Sequence, residues 1–276
     1  MSVNVRIMQK GFFKRKKFEM EDLVKISHLS FGVMDENFQL IPNQIGTHTL
    51  LFDRKYLQRG IEIYIQNHDI CLNLSLPTSM DEIQLFYYLV KLYCDFMDTH
   101  EFVKDDILMD VKEMDLQMVY DKRTSADALR DLMDKCDDDS RYFEVFGILH
   151  PISIGKKELE YFHADLDLFG NYLHHKQAID AYFASPRIYN ANGKRIGMYA
   201  LGADIPTILP LEPYVVLDQI KDVEEWYVFM DQKLVKYTDL MGYLSNSLYY
   251  DANHRLYTVS KETIEKALTV LPIQTI

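Results

Sequence analysis

Two runs of alternating residues, followed at once by a capped and almost wholly apolar helix, constrain the fold of this chain more than any other feature. The first run extends from Ile61 to Ile65 and the second from Ile70 to Leu76, with Asn67-His68 between them. Alternation with period two is typical of strands that bury one face. The sequence therefore predicts a hairpin with one face against a core.

The segment at about 79–98 is predicted to be a central buried helix packed on that hairpin. Ser79 and Glu82 fit a capping box, in which each side chain satisfies a free backbone N–H. Apolar residues cover most of the helix circumference, and polar residues are confined to one narrow stripe. A helix of this kind is buried on several sides. Its tyrosines are interpreted as core, and the lining of a ligand pocket is the alternative.

The remaining elements do not alternate regularly between strand and helix, which disfavours a doubly wound parallel sheet. Asn192-Gly193 predicts a tight hairpin turn within Arg187 to Tyr199. Three prolines in 205–213 predict an extended or edge segment. We therefore expect an α+β fold with largely antiparallel sheets and packed helices.

Two stretches allow more than one interpretation. Residues 105–120 fit both a strand and a helix face, and a strand is favoured. A capping box at 124–127 predicts that a separate helix begins there and ends at the acids 137–139. Residues 156–183 predict a long helical stretch with a break near Gly170.

The acidic segment near 137–141 is the best place to divide the chain. This gives an N-terminal α+β subdomain at 1–138 and a C-terminal α+β subdomain at 139–276, although a chain of 276 residues could also form one domain.

Charge is laid out unevenly along the chain. The formal net charge is −12, and residues 105–139 hold twelve acids against five bases. Such a surface repels phosphates and disfavours nucleic-acid binding. It favours a basic protein partner, which Asp134, Asp137, Asp138 and Asp139 would contact.

The N-terminal region has the opposite sign. Residues 1–17 contain six basic side chains and no acid. Lys14, Arg15, Lys16 and Lys17 are candidates for contact with a small anion, and a solvated loop is the alternative.

Three cysteines without a Cys-x-x-Cys pattern indicate a reduced compartment. The N-terminal residues do not fit a secretory signal, and no apolar run approaches the roughly 20 residues that a membrane helix needs. We expect a cytoplasmic protein without a membrane span. Cys71, on the polar side of its strand, is the best candidate for a reactive thiol among the three.

Metal binding and catalysis have little support in the sequence. His163, Asp167 and His174 are the best candidate ligands for zinc or manganese, but no His-Glu-x-x-His pattern accompanies them, and a polar helix face is the alternative. Phosphate-binding glycine loops and the Gly-x-Ser-x-Gly elbow are absent. The sequence favours a protein without catalytic activity, and we expect no cofactor.

Three features together resemble an uncharacterised family of Gram-positive bacteria, a domain of unknown function whose members have about this length. They are the opening Met1-Ser2-Val3, the basic run Lys14-Arg15-Lys16-Lys17, and the segment with Pro206, Pro210 and Pro213-Tyr214. The resemblance implies a bacterial cytoplasmic setting and supplies no active-site residues.

Three functions therefore remain open. The first is a non-enzymatic binding protein whose acidic face meets a basic protein partner. The second is a metal-dependent hydrolase that uses the His163 and Asp167 region. The third is a homodimer that binds a small molecule in an aromatic cleft.

Overall fold

The computed structural model divides into two compact units, Met1–Ala178 (unit 1) and Ile179–Ile276 (unit 2). It describes residues 1–9, 16–138, 140–191, 193–216 and 222–275. The boundary predicted between residues 138 and 139 falls inside unit 1, because Leu129, Val145 and Phe169 belong to one hydrophobic core. The division into subdomains 1–138 and 139–276 stays a prediction.

Unit 1 is built on a large antiparallel sheet. The strands in its described part are β1 (Ser2–Ile7), β2 (Ser30–Met34), β3 (Leu40–Pro42), β4 (His48–Phe52), β5 (Ile61–Gln66), β6 (Asp69–Ser75), β7 (Glu101–Lys104), β8 (Ile107–Asp110), β9 (Tyr142–Phe146) and β10 (Pro151–Gly155). Eight of them form the order β3-β2-β4-β5-β6-β1-β7-β8, and β9 pairs with β10 in a separate antiparallel hairpin.

The predicted hairpin is confirmed as β5 and β6. Ile63 lies opposite Leu72, and Ile65 lies opposite Ile70. Asn67 and His68 both have positive φ angles, as a tight turn between the strands requires. The aliphatic side chains of both strands face the core of unit 1, where they meet the helices.

The predicted central helix is also confirmed. The helices of unit 1 are α1 (Met20–Ser27), α2 (Met80–Phe96), α3 (Met114–Lys135), α4 (Lys156–Phe162) and α5 (Leu166–Gln177). Helix α2 contacts α1, α3 and α5 as well as β1 and β6, so it is buried on several sides. In the described ranges, no helix has the length and apolar character needed to cross a membrane.

Only half of the predicted capping box at α2 forms. The Ser79 hydroxyl accepts the Glu82 N–H, as expected. The Glu82 carboxylate points elsewhere: it accepts the backbone N–H groups of Arg59 and Gly60 and the hydroxyl of Thr78. Tertiary contacts have therefore replaced the local bond that the sequence pattern predicts.

The interpretation of 105–120 as a strand is correct only for β8. After β8, Asp110 and Glu113 form a capping box. It begins a short 3-10 turn, and α3 follows directly. The helix start predicted at 124–127 is wrong, because these residues lie inside α3. The Ser125 hydroxyl there binds both the N–H and the carbonyl of Thr78 and thus joins α3 to the segment before α2.

The predicted break at Gly170 is also misplaced. Helix α4 ends at Phe162, His163 and Ala164 adopt left-handed φ angles, and Asp165 caps α5. Gly170 lies inside α5, where an added Cβ would stand 2.6 Å from the Cβ of Ser79. The glycine allows close approach of two helices and does not interrupt one.

Unit 2 contains two smaller sheets and two helices in its described part. The strands are β11 (Tyr182–Phe183), β12 (Arg187–Ala191), β13 (Lys194–Ala200), β14 (Thr207–Pro210), β15 (Glu225–Met230), β16 (Lys233–Lys236), β17 (Leu248–Tyr249), β18 (His254–Tyr257) and β19 (Ile273–Gln274), and the helices are α6 (Tyr237–Tyr243) and α7 (Lys261–Val270). The sheet orders are β11-β14-β18-β17 and β12-β13-β15-β16-β19. The pairs β11–β14 and β13–β15 are parallel, whereas the other pairs are antiparallel.

The hairpin predicted at Arg187–Tyr199 is confirmed as β12 and β13, and Gly193 has a φ of 78°. Asn192 lies outside the described residues. The proline segment differs from its prediction, because β14 is an inner strand between β11 and β18. Pro206 precedes the strand and Pro210 ends it, and β11 is only two residues long, so neither proline falls in the parallel pairing of Thr207 and Ile208 with β11. The predicted α+β class with largely antiparallel sheets is confirmed.

Candidate partner-binding surface

A buried ion pair fixes α3 to the sheet of unit 1. The Lys104 ammonium of β7 lies 2.6 Å from Asp121 Oδ1, and these side chains are 4% and 1% exposed. Lys104 also donates to the Gln117 amide oxygen at 3.0 Å. The Tyr87 hydroxyl of α2 donates to Asp121 Oδ2 at 2.5 Å, and burial together with this carboxylate raises the pKa of Tyr87. The Lys104–Asp121 pair and the Tyr87 hydroxyl thus join β7, α3 and α2.

The opposite side of α3 exposes large apolar side chains. Leu116, Val119 and Tyr120 are between 63% and 69% exposed. Ile107 of β8 is 61% exposed and lies beside Lys104 across the strand pair, while the Lys104 ammonium is 5.5 Å from the centre of the Tyr120 ring. Exposed apolar groups gathered in this way are typical of interaction sites.

Charged residues continue the same side of α3 toward its C-terminus. Residues three and four apart share a helix face, so Arg123, Asp127, Arg130, Asp131 and Asp134 extend the line that begins at Leu116. We call the set of Leu116, Val119, Tyr120, Arg123, Asp127, Arg130, Asp131 and Asp134 the α3 stripe.

The charges of the α3 stripe are only partly neutralised. Asp127 is paired with Arg130 and lies 3.9 Å from Arg123. The carboxylates of Asp131 and Asp134 are exposed and have no hydrogen bond or ion pair with the part of the chain that the structure describes. The stripe therefore has an apolar half and a half that ends in two unpaired acids.

The predicted partner-binding acids differ in their surroundings. Asp134 belongs to the α3 stripe. Asp137 and Asp138 follow α3 and both lie near Arg141, at 3.2 and 3.7 Å. Hydrogen bonds from Ser140 lower the pKa of Asp138. Asp139 lies outside the described residues. Arg141, which lies just beyond the residues 105–139 counted in the sequence, thus offsets part of the charge of Asp137 and Asp138.

The predicted anion-contact residues fall partly outside the described ranges, since Lys14 and Arg15 belong to 10–15. The Lys16 ammonium donates to the Phe96 carbonyl at 2.8 Å and lies 3.4 Å from the centre of the Phe96 ring. Its positive charge thus lies at the C-terminus of α2, where it stabilises the helix dipole, and the last turn of α2 contains no basic residue of its own. Lys17 is exposed.

The three predicted metal ligands occupy different local environments. His163 ends α4, Asp167 lies in the first turn of α5, and both are exposed. His174 Nδ1 accepts the Leu57 N–H at 3.1 Å, so this nitrogen already has a partner. Across the described residues, no group of three or more His, Cys, Asp or Glu side chains is arranged to hold a metal ion.

The three cysteines are free and buried. Burial raises the pKa of Cys71, Cys94 and Cys136, and that of Cys94 reaches about 12. A raised pKa keeps a thiol protonated at neutral pH and lowers its reactivity. Cys71, the best candidate by sequence, is only 3% exposed.

Sequence reasoning missed the buried pair of Lys104 and Asp121. One signal was present: Phe102 and Lys104 are two residues apart in a strand, so an inward Phe102 places Lys104 inward as well. The apolar half of the α3 stripe was missed because the preferred strand interpretation concealed the helical spacing of Leu116, Val119 and Tyr120.

The fold and this surface define an α+β protein that displays an amphipathic helix stripe beside an antiparallel sheet. The chain belongs to the family described as Domain of unknown function (DUF4299), which matches residues 2–267. Searches of the curated proteins and of the solved structures found no match.

Proposed function

We propose that this chain is a non-enzymatic binding protein whose α3 stripe docks a basic, amphipathic segment of another protein. The observation that carries the proposal is the order of side chains along one exposed helix face. Three large apolar residues come first, and the unpaired Asp131 and Asp134 come last.

The two halves of the α3 stripe have different physical roles. Covering Leu116, Val119 and Tyr120 removes apolar surface from water, which supplies binding free energy. Asp131 and Asp134 attract cations during the encounter and fix the direction of the partner segment. Tyr120 adds a polar hydroxyl to a large contact area, as interface tyrosines commonly do.

The length of the stripe constrains the partner. Val119 and Asp134 are fifteen positions apart, which is about 22 Å along a helix axis. A complementary helix would carry its Lys or Arg residues about four turns from its apolar anchors. A basic segment whose apolar residues and Lys or Arg residues are interspersed would fit the α3 stripe less well.

The proposed setting is the cytoplasm of a Gram-positive bacterium. The free cysteines support a reducing compartment. The acidic net charge of −12 supports a basic protein as partner rather than a nucleic acid. The bacterial source rests on the resemblance noted in the sequence.

A synthetic helix of about six turns tests the proposal. It carries leucines on one face near one end and lysines on that face near the other, and fluorescence anisotropy measures its binding to the full chain. We expect saturable binding that weakens as salt rises. A peptide of the same composition with leucines and lysines interspersed should bind at least about tenfold more weakly, which is about 1.4 kcal/mol.

Matched variants locate the binding. Leu116→Ser should weaken it, whereas Tyr161→Ser, which changes an exposed apolar side chain on α4, should not. Asp131→Lys should weaken it more than Glu160→Lys, an equal change of charge on α4. Equal effects within each pair would show that the chain attracts cationic peptides without a docking site.

A second copy of the chain is the competing occupant of the stripe. Light scattering at increasing protein concentration detects it. A dimer that Leu116→Ser dissociates and Tyr161→Ser leaves intact would assign the stripe to self-association and would overturn the proposal of a basic partner.

A further inference from the structure

Unit 2 contains a cavity of about 430 Å³, a volume within the range of small-molecule sites. Its lining includes Tyr182, Ser185, Arg187, Tyr189, Met198 and Phe229. We call it the unit 2 cleft. The described residues that line it all belong to unit 2, and none of them belongs to the α3 stripe.

The register of the five-stranded sheet explains how distant residues meet in the cleft. Arg187 lies opposite Met198, and Ala200 lies beside Phe229. Residues two apart on a strand share a face, so Arg187 and Tyr189 stand on the same side as Met198 and Phe229. One face of the sheet forms the floor, and the segment from β11 to β12 contributes Tyr182 and Ser185.

The aromatic side chains of the cleft are left open. Tyr182, Tyr189 and Phe229 are between 41% and 45% exposed, although each lines a concave surface. No ring stacking between them and other described aromatic residues occurs. Rings held this way offer flat apolar contact to a planar ligand.

Arg187 gives the cleft its charge. Its guanidinium is exposed and makes no hydrogen bond or ion pair with the described residues. Among the described residues that line the cavity there is no Asp or Glu, although the chain has a net charge of −12. An unpaired guanidinium presents a planar set of donors that matches a carboxylate or a phosphate.

Ser185 supplies a second, independent observation. Its hydroxyl oxygen is buried and has no hydrogen-bond partner among the described residues. Buried polar atoms are nearly always paired, so an orphaned hydroxyl beside a cavity indicates a missing polar partner. The oxygen is closed to solvent, so Ser185 must change its χ1 rotamer before a ligand in the cleft can supply that partner.

We propose that the unit 2 cleft binds a small ligand composed of a planar aromatic body and one anionic group. The rings of Tyr182, Tyr189 and Phe229 contact the aromatic body. Arg187 binds the anionic group, and the Ser185 hydroxyl donates to or accepts from a polar atom of the ligand. A carboxylate and a phosphate share this recognition chemistry.

A series of ligands of one shape tests the proposal with the full chain. 2-Naphthoate and 2-naphthyl phosphate carry the two anions, and 2-naphthamide is the neutral counterpart. Isothermal titration calorimetry measures their affinities. We expect at least one anion to bind about tenfold more tightly than the amide, and the tighter of the two identifies the anion class.

Variants assign the contacts. Arg187→Gln should reduce the affinity for the anion about tenfold and leave that for the amide unchanged. Arg187→Lys should lie between, because it keeps the charge and loses the planar donors. Tyr189→Ala should weaken the anion and the amide alike. Lys233→Gln removes an exposed cation outside the cleft and should change neither.

Three results would overturn the proposal. They are equal affinity for the anions and the amide, equal effects of Arg187→Gln and Lys233→Gln, and no binding of any of the three ligands at millimolar concentration. Arg187 is exposed on the edge strand β12, and thermal unfolding of each variant confirms that the fold is retained.

Discussion

Two buried carboxylates in unit 1 are stabilised in opposite ways. Asp121 meets the Lys104 ammonium at 2.6 Å. Glu82 is 4% exposed and accepts the N–H groups of Arg59 and Gly60 and the Thr78 hydroxyl. The Arg59 guanidinium donates instead to the carbonyls of Pro77 and Phe146.

The comparison shows that the groups around a buried carboxylate determine how that carboxylate contributes to stability. Burial raises the pKa of Glu82 more than its hydrogen bonds and Arg59 lower it. Burial likewise lowers the pKa of Arg59 to about 10. Asp121 has a dedicated cation, so breaking that pair would leave an isolated charge in the core. The stability that the Asp121 site provides therefore depends on Lys104, and the stability that the Glu82 site provides changes with pH.

Lys104→Met should cause the largest loss of stability, because it leaves Asp121 buried without its cation. We expect a loss of about 3–5 kcal/mol, measured by urea unfolding at pH 7. The double variant Lys104→Met with Asp121→Leu should recover part of the loss. If Lys104→Met unfolds at the same urea concentration as the unchanged chain, the pair does not hold α3 to the sheet.

Ser79→Ala should cost about 2 kcal/mol, at the upper end for an N-cap, because it removes the buried N-cap of α2 beside Glu82. The Ser79 hydroxyl is buried and also donates to Gln58, so its loss leaves two buried groups without a partner. Ser260→Ala is the matched control: it removes the exposed N-cap of α7. If Ser260→Ala loses as much stability as Ser79→Ala, the loss comes from the missing cap alone and not from the buried groups left without a partner.

The smallest expected effect is a change in pH dependence in Glu82→Gln. A folded-state pKa above the unfolded value means that the folded chain binds more protons, so stability falls as pH rises from the unfolded pKa through the folded one. Glutamine cannot ionise, so Glu82→Gln should gain stability relative to the unchanged chain over that range.

Urea unfolding from pH 4 to pH 8 measures the difference, with Asp81→Asn as an exposed control on the same helix turn. A constant difference across this range would mean that Glu82 titrates alike in the folded and unfolded chains. A difference that moves in favour of the unchanged chain would show that the hydrogen bonds outweigh burial.

Local patterns predicted the elements whose signals lie within a few residues. The β5–β6 hairpin, α2 and the β12–β13 hairpin all match the sequence prediction. Two capping patterns misled for different reasons. A distant segment binds Glu82, which accepts the N–H groups of Arg59 and Gly60. At 124–127 the helix has already begun at Met114, so the Thr124 hydroxyl donates to the Tyr120 carbonyl and Asp127 pairs with Arg130.

The candidate surface could be predicted only in part. The sequence indicated that acids cluster near the end of α3, and the structure places Asp134 on the exposed stripe. It did not indicate that Arg141 would offset Asp137 and Asp138, since an ion pair depends on the path of the chain after the helix. The unit 2 cleft was not predicted either, because residues from five strands and one connecting segment line it.

The amino-acid sequence by itself determined the α+β class, the acidic balance and the elements marked by period-two alternation, caps or an Asn-Gly turn. Backbone geometry and local hydrogen bonds encode these features over a few residues. The tertiary structure alone decided which acid received a lysine, which apolar side chains stayed in water, and which strands enclosed a cavity. These outcomes depend on contacts between residues far apart in the chain, and no local pattern specifies such contacts.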